Sequence, residues 1–169
     1  MALNGSTEQL FAEARSSCLG LIECLARSHE ADPWLRRELV QDILLAVWAA
    51  LPGFRGEASI ATFTLAIARR KCLAHVSKRA REPREVELPA DLVCQAAPPD
   101  EAAVLNNERR LLGESILRLP VAQREAIVLC ISGFSYGEMA IILGISTNAA
   151  MLRCQRARDG LRLAVGSLS

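Results

Sequence analysis

Between Glu38 and Arg81 the chain carries two runs of apolar residues at helical spacing, parted by a single Pro-Gly break. Leu39, Ile43, Ala46, Val47 and Ala50 form one continuous stripe on a helix from about Leu39 to Leu51. Winding that helix at about 100° per residue gathers Gln41, Leu45 and Trp48 on its far side. A surface helix ordinarily turns charge outward; this one turns out a tryptophan and a leucine. Such a helix needs either neighbours on both faces or a partner from outside. Pro52 and Gly53 stop it. Phe54 to Ser59 then make a short loop with an aromatic at its tip, and Ser59 or Thr62 is placed to cap a third helix, about Ala61 to Arg81. Phe63, Ala66, Ile67 and Ala74, with Leu73 at the margin, are expected on its buried side.

The flanking sequence extends the helical pattern. Residues 1–8 are polar and expected to fray. Leu10, Ala14, Cys18, Leu21, Ile22 and Leu25 then mark a first helix from Gln9 to about Arg27. Asp32 with Pro33 is a start signal, because a proline at the first helical position gives up an N–H that would be unpaired anyway. Residues 82–100 change character: Glu82-Pro83, Leu88-Pro89 and Pro98-Pro99 exclude a long helix or a central strand, so this stretch reads as a linker. A fourth helix is expected from Asp100 or Glu101 to Leu119 and a fifth from Val121 to Ser132, ended by Gly133. Ser135 to Glu138 fits a Ser-x-x-Glu capping box ahead of a sixth helix. Leu143-Gly144-Ile145-Ser146 is a tight turn, and Ser146 caps an arginine-rich seventh helix from Thr147 to about Val165. Two short helices joined by a glycine turn, the second basic, make a helix-turn-helix. The fold class is therefore all-α: a domain over 1–81, a flexible linker over 82–100 and a helix-turn-helix domain over 101–169.

Composition narrows the chemistry. Hydrophobic residues at 51% suffice for packed cores, while 4% aromatics favours Leu/Ala-rich helices over strands. The net charge of +1 averages over arginine-rich blocks at 69–84 and 153–162, so it hides basic patches. No apolar run approaches the roughly 18–20 residues that span a bilayer, and no secretory leader pattern opens the chain, so a cytoplasmic protein without membrane insertion is expected. The cysteines at 18, 24, 72, 94, 130 and 154 fall mostly at apolar helical positions without a Cys-x-x-Cys pair. They read as small hydrophobes in a reducing compartment. Cys18, Cys24 and His29 are the alternative metal or redox set, with a spacing that matches no standard zinc pattern. His75 stands alone and reads as a packing or surface residue. No helical His-Glu-x-x-His, phosphate-cradling glycine loop or Ser/His/Asp set is present, so neither an enzyme nor a cofactor or metal site is expected.

Taken in order, Leu39-Val40-Gln41-Asp42, Val47-Trp48, Phe54-Arg55-Gly56 and Ile67-Ala68-Arg69 resemble the core of region 2 of bacterial extracytoplasmic-function (ECF) sigma factors, the small two-domain initiation subunits of RNA polymerase. Leu119-Pro120, Gln123-Arg124-Glu125, Ser135-Tyr136, Glu138-Met139-Ala140, Leu143-Gly144-Ile145-Ser146 and the run from Arg153 to Arg158 are similar to region 4 of the same family. The resemblance implies a protein that binds core RNA polymerase and promoter DNA and is held by an anti-sigma factor. It implies that Leu39, Gln41, Asp42, Leu45 and Trp48 dock on the clamp coiled coil of the largest polymerase subunit, a desolvated tryptophan being a usual anchor. The alternative for Trp48 is that it closes over a neighbouring helix. The resemblance further implies that Phe54, Arg55, Gly56 and Ser59 pocket a base of the opened strand, with Arg69, Arg70, Lys71, Lys78 and Arg79 along the backbone. The alternative there is a merely solvated basic face. In region 4, Ser146, Thr147, Asn148, Ala149, Leu152, Arg153, Arg156 and Arg158 would meet the upstream element in the major groove.

The sequence departs from that pattern in places. Arg70 stands where the family commonly has Asn, Ala74 where it has Asp, and Phe63 where it has Trp. Ala149, Met151 and Leu152 replace residues that are often Thr, Lys and Ser, which leaves the reading helix unusually apolar. Such a face suits either thymine methyls or a covering protein, an anti-sigma factor or a second copy. Two other functions fit parts of the sequence. A sigma-like decoy would titrate an anti-sigma factor without transcribing. A stand-alone helix-turn-helix regulator would bind duplex DNA without polymerase, leaving the Trp48 face and Phe54 loop unexplained.

Overall fold

Asp32 starts the second helix as its sequence suggests: its carboxylate accepts from the backbone N–H groups of Trp34 and Leu35, and Pro33 occupies the first helical turn. The computed structural model describes residues 2–81 and 111–166, and the side chains of 7–81 and 111–163. Helix α1 spans Ala2–His29, α2 Pro33–Ala50 and α3 Ile60–Arg79, with a 3₁₀ turn at Leu51–Gly53. Helix α4 is described over 111–118, followed by α5 (Val121–Ile131), α6 (Tyr136–Leu143) and α7 (Thr147–Gly166). The described residues contain no strand. The expected linker and the first half of the expected fourth helix lie outside them. Among the described residues, two helix starts differ from the sequence reading by more than one residue. Helix α1 begins at Ala2 instead of fraying to Gln9, and α2 begins at Pro33, because the Asp32 cap pairs the first-turn donors that would otherwise be orphaned.

Each cap has a local cause. The Ser59 hydroxyl accepts from Thr62 N–H at 3.1 Å and opens α3. Ser135 and Glu138 form the full capping box of α6, so its first-turn donors are paired reciprocally. Gly144 ends α6 at φ 60, a left-handed conformation that a residue with a Cβ resists, and this makes the turn of the helix-turn-helix. Ser146 then accepts from Ala149 N–H at 3.2 Å and starts α7.

One buried cluster runs through both halves of the molecule. Ala14, Cys18, Ile22 and Leu25 of α1 meet Leu39, Ile43 and Val47 of α2 and Leu65, Ala68 and Cys72 of α3. The same cluster continues into Leu129, Met139, Ile142, Leu143, Ala150 and Cys154 of the C-terminal half. The contacts that join the halves are α1 on α5 and α3 on α6. A smaller cluster of Leu119, Ile127, Ala157 and Leu161 closes the far end of the helix-turn-helix domain. The stripes expected on α1, α2 and α7 are on the buried side.

Helix α3 is where periodicity misleads. Ile67 is buried, but Ala74 and Leu73 face solvent, and Phe63 and Ala66 are only partly covered. The buried side chains are instead Thr62, Thr64, Leu65, Ile67, Ala68 and Cys72. Helix α3 packs on α1, α2 and α6 together, so its buried surface wraps most of its circumference and no single stripe marks it.

Candidate polymerase and nucleic-acid surfaces

The outer face of α2 carries its apolar residues into solvent. Leu45 is 67% exposed and Trp48 42% exposed, with Gln41 and Asp42 exposed beside them. Leu39 of the same candidate set is buried in the core, so it can support this face but not touch a partner. Phe11 of α1 meets the Trp48 ring edge-on, with centroids 5.1 Å apart. That contact fixes the indole at one edge and leaves the rest open. The indole thus leans on a neighbouring helix and keeps part of its surface in solvent.

The loop after α2 is built on two aromatics. Phe54 packs against Phe63 with centroids 5.0 Å apart, so its ring is half-buried and braced by α3. Arg55 and Gly56 are exposed, and Gly56 has φ 75, which lets the loop turn back toward the Ser59 cap. The Ser59 hydroxyl donates to Thr62 Oγ1 at 2.9 Å while accepting from Thr62 N–H. Ser59 is therefore committed to the cap.

The basic residues of α3 sit in different surroundings. Arg70, Lys71 and Lys78 lie at exposed positions, with Arg70 Nε donating to the Ala66 carbonyl at 3.2 Å. Arg69 and Arg79 are turned toward carboxylates. Arg79 Nη1 lies 3.2 Å from Glu30 Oε2, an oxygen that also accepts from His75 Nε2 at 2.7 Å. Glu30 is itself buried, and its other oxygen accepts from Asp32 N–H at 2.9 Å. His75, read as a packing or surface residue, is one arm of this network.

Arg69 reaches across to the other domain. Its Nε lies 3.3 Å from both carboxylate oxygens of Glu125 on α5. His29 Nε2, at the end of α1, donates to Glu125 Oε1 at 2.9 Å. The Glu125 side chain is 2% exposed. Burial pushes its carboxyl up, but the His29 hydrogen bond and the Arg69 charge outweigh that and hold it below the ordinary carboxylate range. Next to it, Arg124 Nη1 donates to the Ser28 carbonyl at 3.4 Å, and its Nη2 to the carbonyls of Leu117 and Leu119 at 2.6 and 3.0 Å. A second tie lies at α6, where the Glu138 carboxyl is held below its usual range by the Ser135 N–H and hydroxyl, with Thr62 of α3 adding to them. Motif reading passed over Glu125 and His29 as structural partners. Glu125 does sit one turn before buried Leu129, and His29 one turn after buried Leu25, so both fall on core stripes.

On α7, Ala150, Cys154, Ala157 and Leu161 are buried. Ser146, Thr147, Asn148, Leu152, Arg156 and Arg158 are exposed and Ala149 partly so. Leu152 at 46%, Met151 at 42% and Ile141 of α6 at 58% exposure make this end of the domain apolar on the outside. Arg153 is partly covered, and its Nη1 is buried without a hydrogen-bond partner. Arg158 Nη2 lies 3.0 Å from Cys130 Sγ, so of the arginines in the reading set Arg156 points most freely outward.

Among the described residues no cluster of three His, Cys, Asp or Glu side chains could hold a metal ion, and no helix is long and apolar enough to cross a membrane. His29 is occupied by Glu125, which removes it from the alternative set with Cys18 and Cys24. Cys94 lies outside the described residues.

Comparison with known proteins places both halves of the chain in one family. Residues 16–82 match the family model of sigma-70 region 2, and residues 109–160 that of sigma-70 region 4. The chain is 32% identical over 130 residues to the ECF RNA polymerase sigma factor RpoE of Cereibacter sphaeroides, covering 74% of this chain and 69% of that protein. It is 27% identical over 168 residues to the ECF sigma factor SigM of Mycobacterium tuberculosis, covering 96% of this chain and 78% of that one. Among solved structures, sigma factor RpoE of Bartonella quintana, crystallised with the anti-sigma factor NepR, superposes with a TM-score of 0.71 at 26% identity, over 92% of this chain and 96% of that one. CnrH, in complex with the cytosolic domain of CnrY, has the same fold, with a TM-score of 0.65 at 23% identity. Two sigma-region matches in the right order, and a relative 32% identical over most of both chains, lead to one assignment: the chain belongs to the ECF sigma factors of RNA polymerase.

Proposed function

We propose that this sigma factor grips core RNA polymerase through the outer face of α2, with Trp48 and Leu45 as apolar anchors and Gln41 and Asp42 as their polar rim. The observation that carries this reading is the exposure of a tryptophan and a leucine on one helix face whose opposite face is core. Desolvating such a ring beneath a partner is a large single contribution to binding. Leu39 holds the helix from beneath. Phe54, braced on Phe63, and Arg55 form the pocket side of a strand-opening loop, with Arg70, Lys71 and Lys78 tracking phosphates. Arg69 and Arg79 join that track only when they leave their carboxylate partners. Helix α7 reads the upstream duplex, Arg156 first among its arginines, with Ala149 and Leu152 placed for thymine methyls. The protein acts in the cytoplasm as an initiation factor without catalysis of its own, and an anti-sigma factor is a further partner. The domains divide at 82–100, between 1–81 and 101–169.

The two halves pack on each other through Glu125, so this is a closed form of the molecule. The test is a titration of labelled full-length protein with core polymerase. Trp48→Ala is expected to weaken binding by about 2 kcal/mol, roughly thirtyfold. Unchanged affinity would remove α2 as the gripping surface.

A further inference from the structure

The C-terminal domain sets two thiols on the packed helices α5 and α7. Cys154 is fully buried, and its Sγ donates to the Ala126 carbonyl at 3.4 Å. One turn further along α5 stands Cys130, half-buried; one turn further along α7 stands Arg158, whose Nη2 is 3.0 Å from the Cys130 sulfur. The two helices therefore run alongside each other with Cys130 and Cys154 on the diagonal between those contacts. Burial and then the neighbouring Cys130 sulfur push the Cys154 thiol up to about 11, while Arg158 pulls it down. Tyr136 of α6 bonds to Arg158 and keeps the guanidinium over the pair.

These are the parts a redox thiol needs. The thiolate is the reactive form, and the Arg158 guanidinium stands 3.0 Å from the partly exposed Cys130 sulfur. At Cys24 and Cys72 burial outweighs the pull of nearby arginines, Arg27 and Arg124 at Cys24 and Arg69 at Cys72. Burial raises Cys18 and Cys24, and Cys72 is pushed up to about 12. In a reducing compartment a disulfide here would be transient and regulatory.

We propose that Cys130 and Cys154 form a peroxide-responsive dithiol in the helix-turn-helix domain, Cys130 attacking, Cys154 resolving and Arg158 positioning the attacking sulfur. The Cys130 thiolate gives its electron pair to the outer peroxide oxygen. The S–O bond forms as the O–O bond breaks, and the departing alkoxide or hydroxide takes a proton from water. Sulfur is oxidised by two electrons and the peroxide reduced by two. Cys154 then releases its proton to solvent and attacks the sulfenic sulfur, and the hydroxide that leaves is protonated to water. The net change is two thiols and one hydroperoxide to one disulfide, one alcohol or water, and one water. The disulfide ties α5 to α7 and takes from Arg158 its sulfur acceptor. The chemistry stands apart from the transcription reading; only its consequence for promoter recognition rests on α7 being the reading helix.

The experiment treats the reduced full-length protein with one equivalent of hydrogen peroxide, alkylates free thiols and maps peptides by mass spectrometry without reduction. The expected result is a Cys130–Cys154 crosslink, reversed by dithiothreitol, formed while Cys18, Cys24 and Cys72 remain alkylatable. Cys154→Ser should leave a Cys130 sulfenic acid that dimedone traps. Arg158→Gln, which removes the cation that positions the attacking sulfur, should slow crosslinking by about tenfold, and Arg158→Lys should restore part of the rate. A Cys130 that reacts no faster than Cys24, or a crosslink to any other cysteine in place of Cys154, overturns the proposal. Because the readout is chemical, it stands or fails independently of whether reduced protein drives transcription.

Discussion

Glu125→Ala is the substitution that most sharply tests how the two domains are held. At 3.3 Å and an effective dielectric of about 20, the Arg69–Glu125 pair attracts by about 5 kcal/mol before desolvation is subtracted. Removing one partner of a buried pair leaves the other charge stranded and costs about 3–5 kcal/mol. Arg69 keeps 16% of its side chain in solvent, so water can relieve part of that, and about 3 kcal/mol is the fitting figure. The closed form should then lose about two orders of magnitude against forms in which the halves separate. Urea unfolding should report the loss of stability, and small-angle X-ray scattering of the same protein an increased radius of gyration. Glu13→Ala, an exposed carboxylate on α1, serves as the control and should stay within about 0.5 kcal/mol of the parent. If Glu125→Ala leaves both the unfolding free energy and the scattering radius unchanged, the carboxylate does not hold the domains together.

The same residue sets a pH dependence. Its carboxyl is held below the ordinary value of 4.5 in the folded chain. Its contribution is therefore fully present above pH of about 4.5, the unfolded range, and disappears as pH falls through the lower folded value. Urea midpoints should drop across that acid window, and Glu125→Gln should flatten the part of the slope due to this group; an identical slope in the variant would contradict the assignment. Arg156→Ala is expected to weaken binding of the upstream duplex by about 1–3 kcal/mol if the guanidinium meets a guanine edge, while assembly with polymerase is retained. Loss of both activities together would indicate an unfolded domain and not a missing contact.

Much of this molecule could be read locally. The Asp32-Pro33 start, the Ser135–Glu138 box and the Gly144 turn are signals spanning a few residues, and each lies where its own chemistry places it. The stripe of α2 and the exposure of Leu45 and Trp48 follow from one helix wound against one core. Helix α3 resisted the same treatment because neighbours cover it on several sides, so polar Thr62 and Thr64 are buried while Leu73 is not. The basic residues were legible as a patch but not as individuals. Arg69 finds its carboxylate on α5 and Arg79 finds Glu30 at the end of α1. Pairing across such distances in sequence leaves no periodic trace. Glu125 could be seen only as a charge on a buried stripe, a pattern that asks for a partner without naming it.

The most direct measurement is run-off transcription with core RNA polymerase on promoters selected from a random library by this protein. The chain is expected to raise specific transcripts well above core enzyme alone, with Trp48→Ala losing the stimulation in proportion to its lost affinity. Tight binding to an anti-sigma partner with no stimulation on any selected promoter would contradict the account.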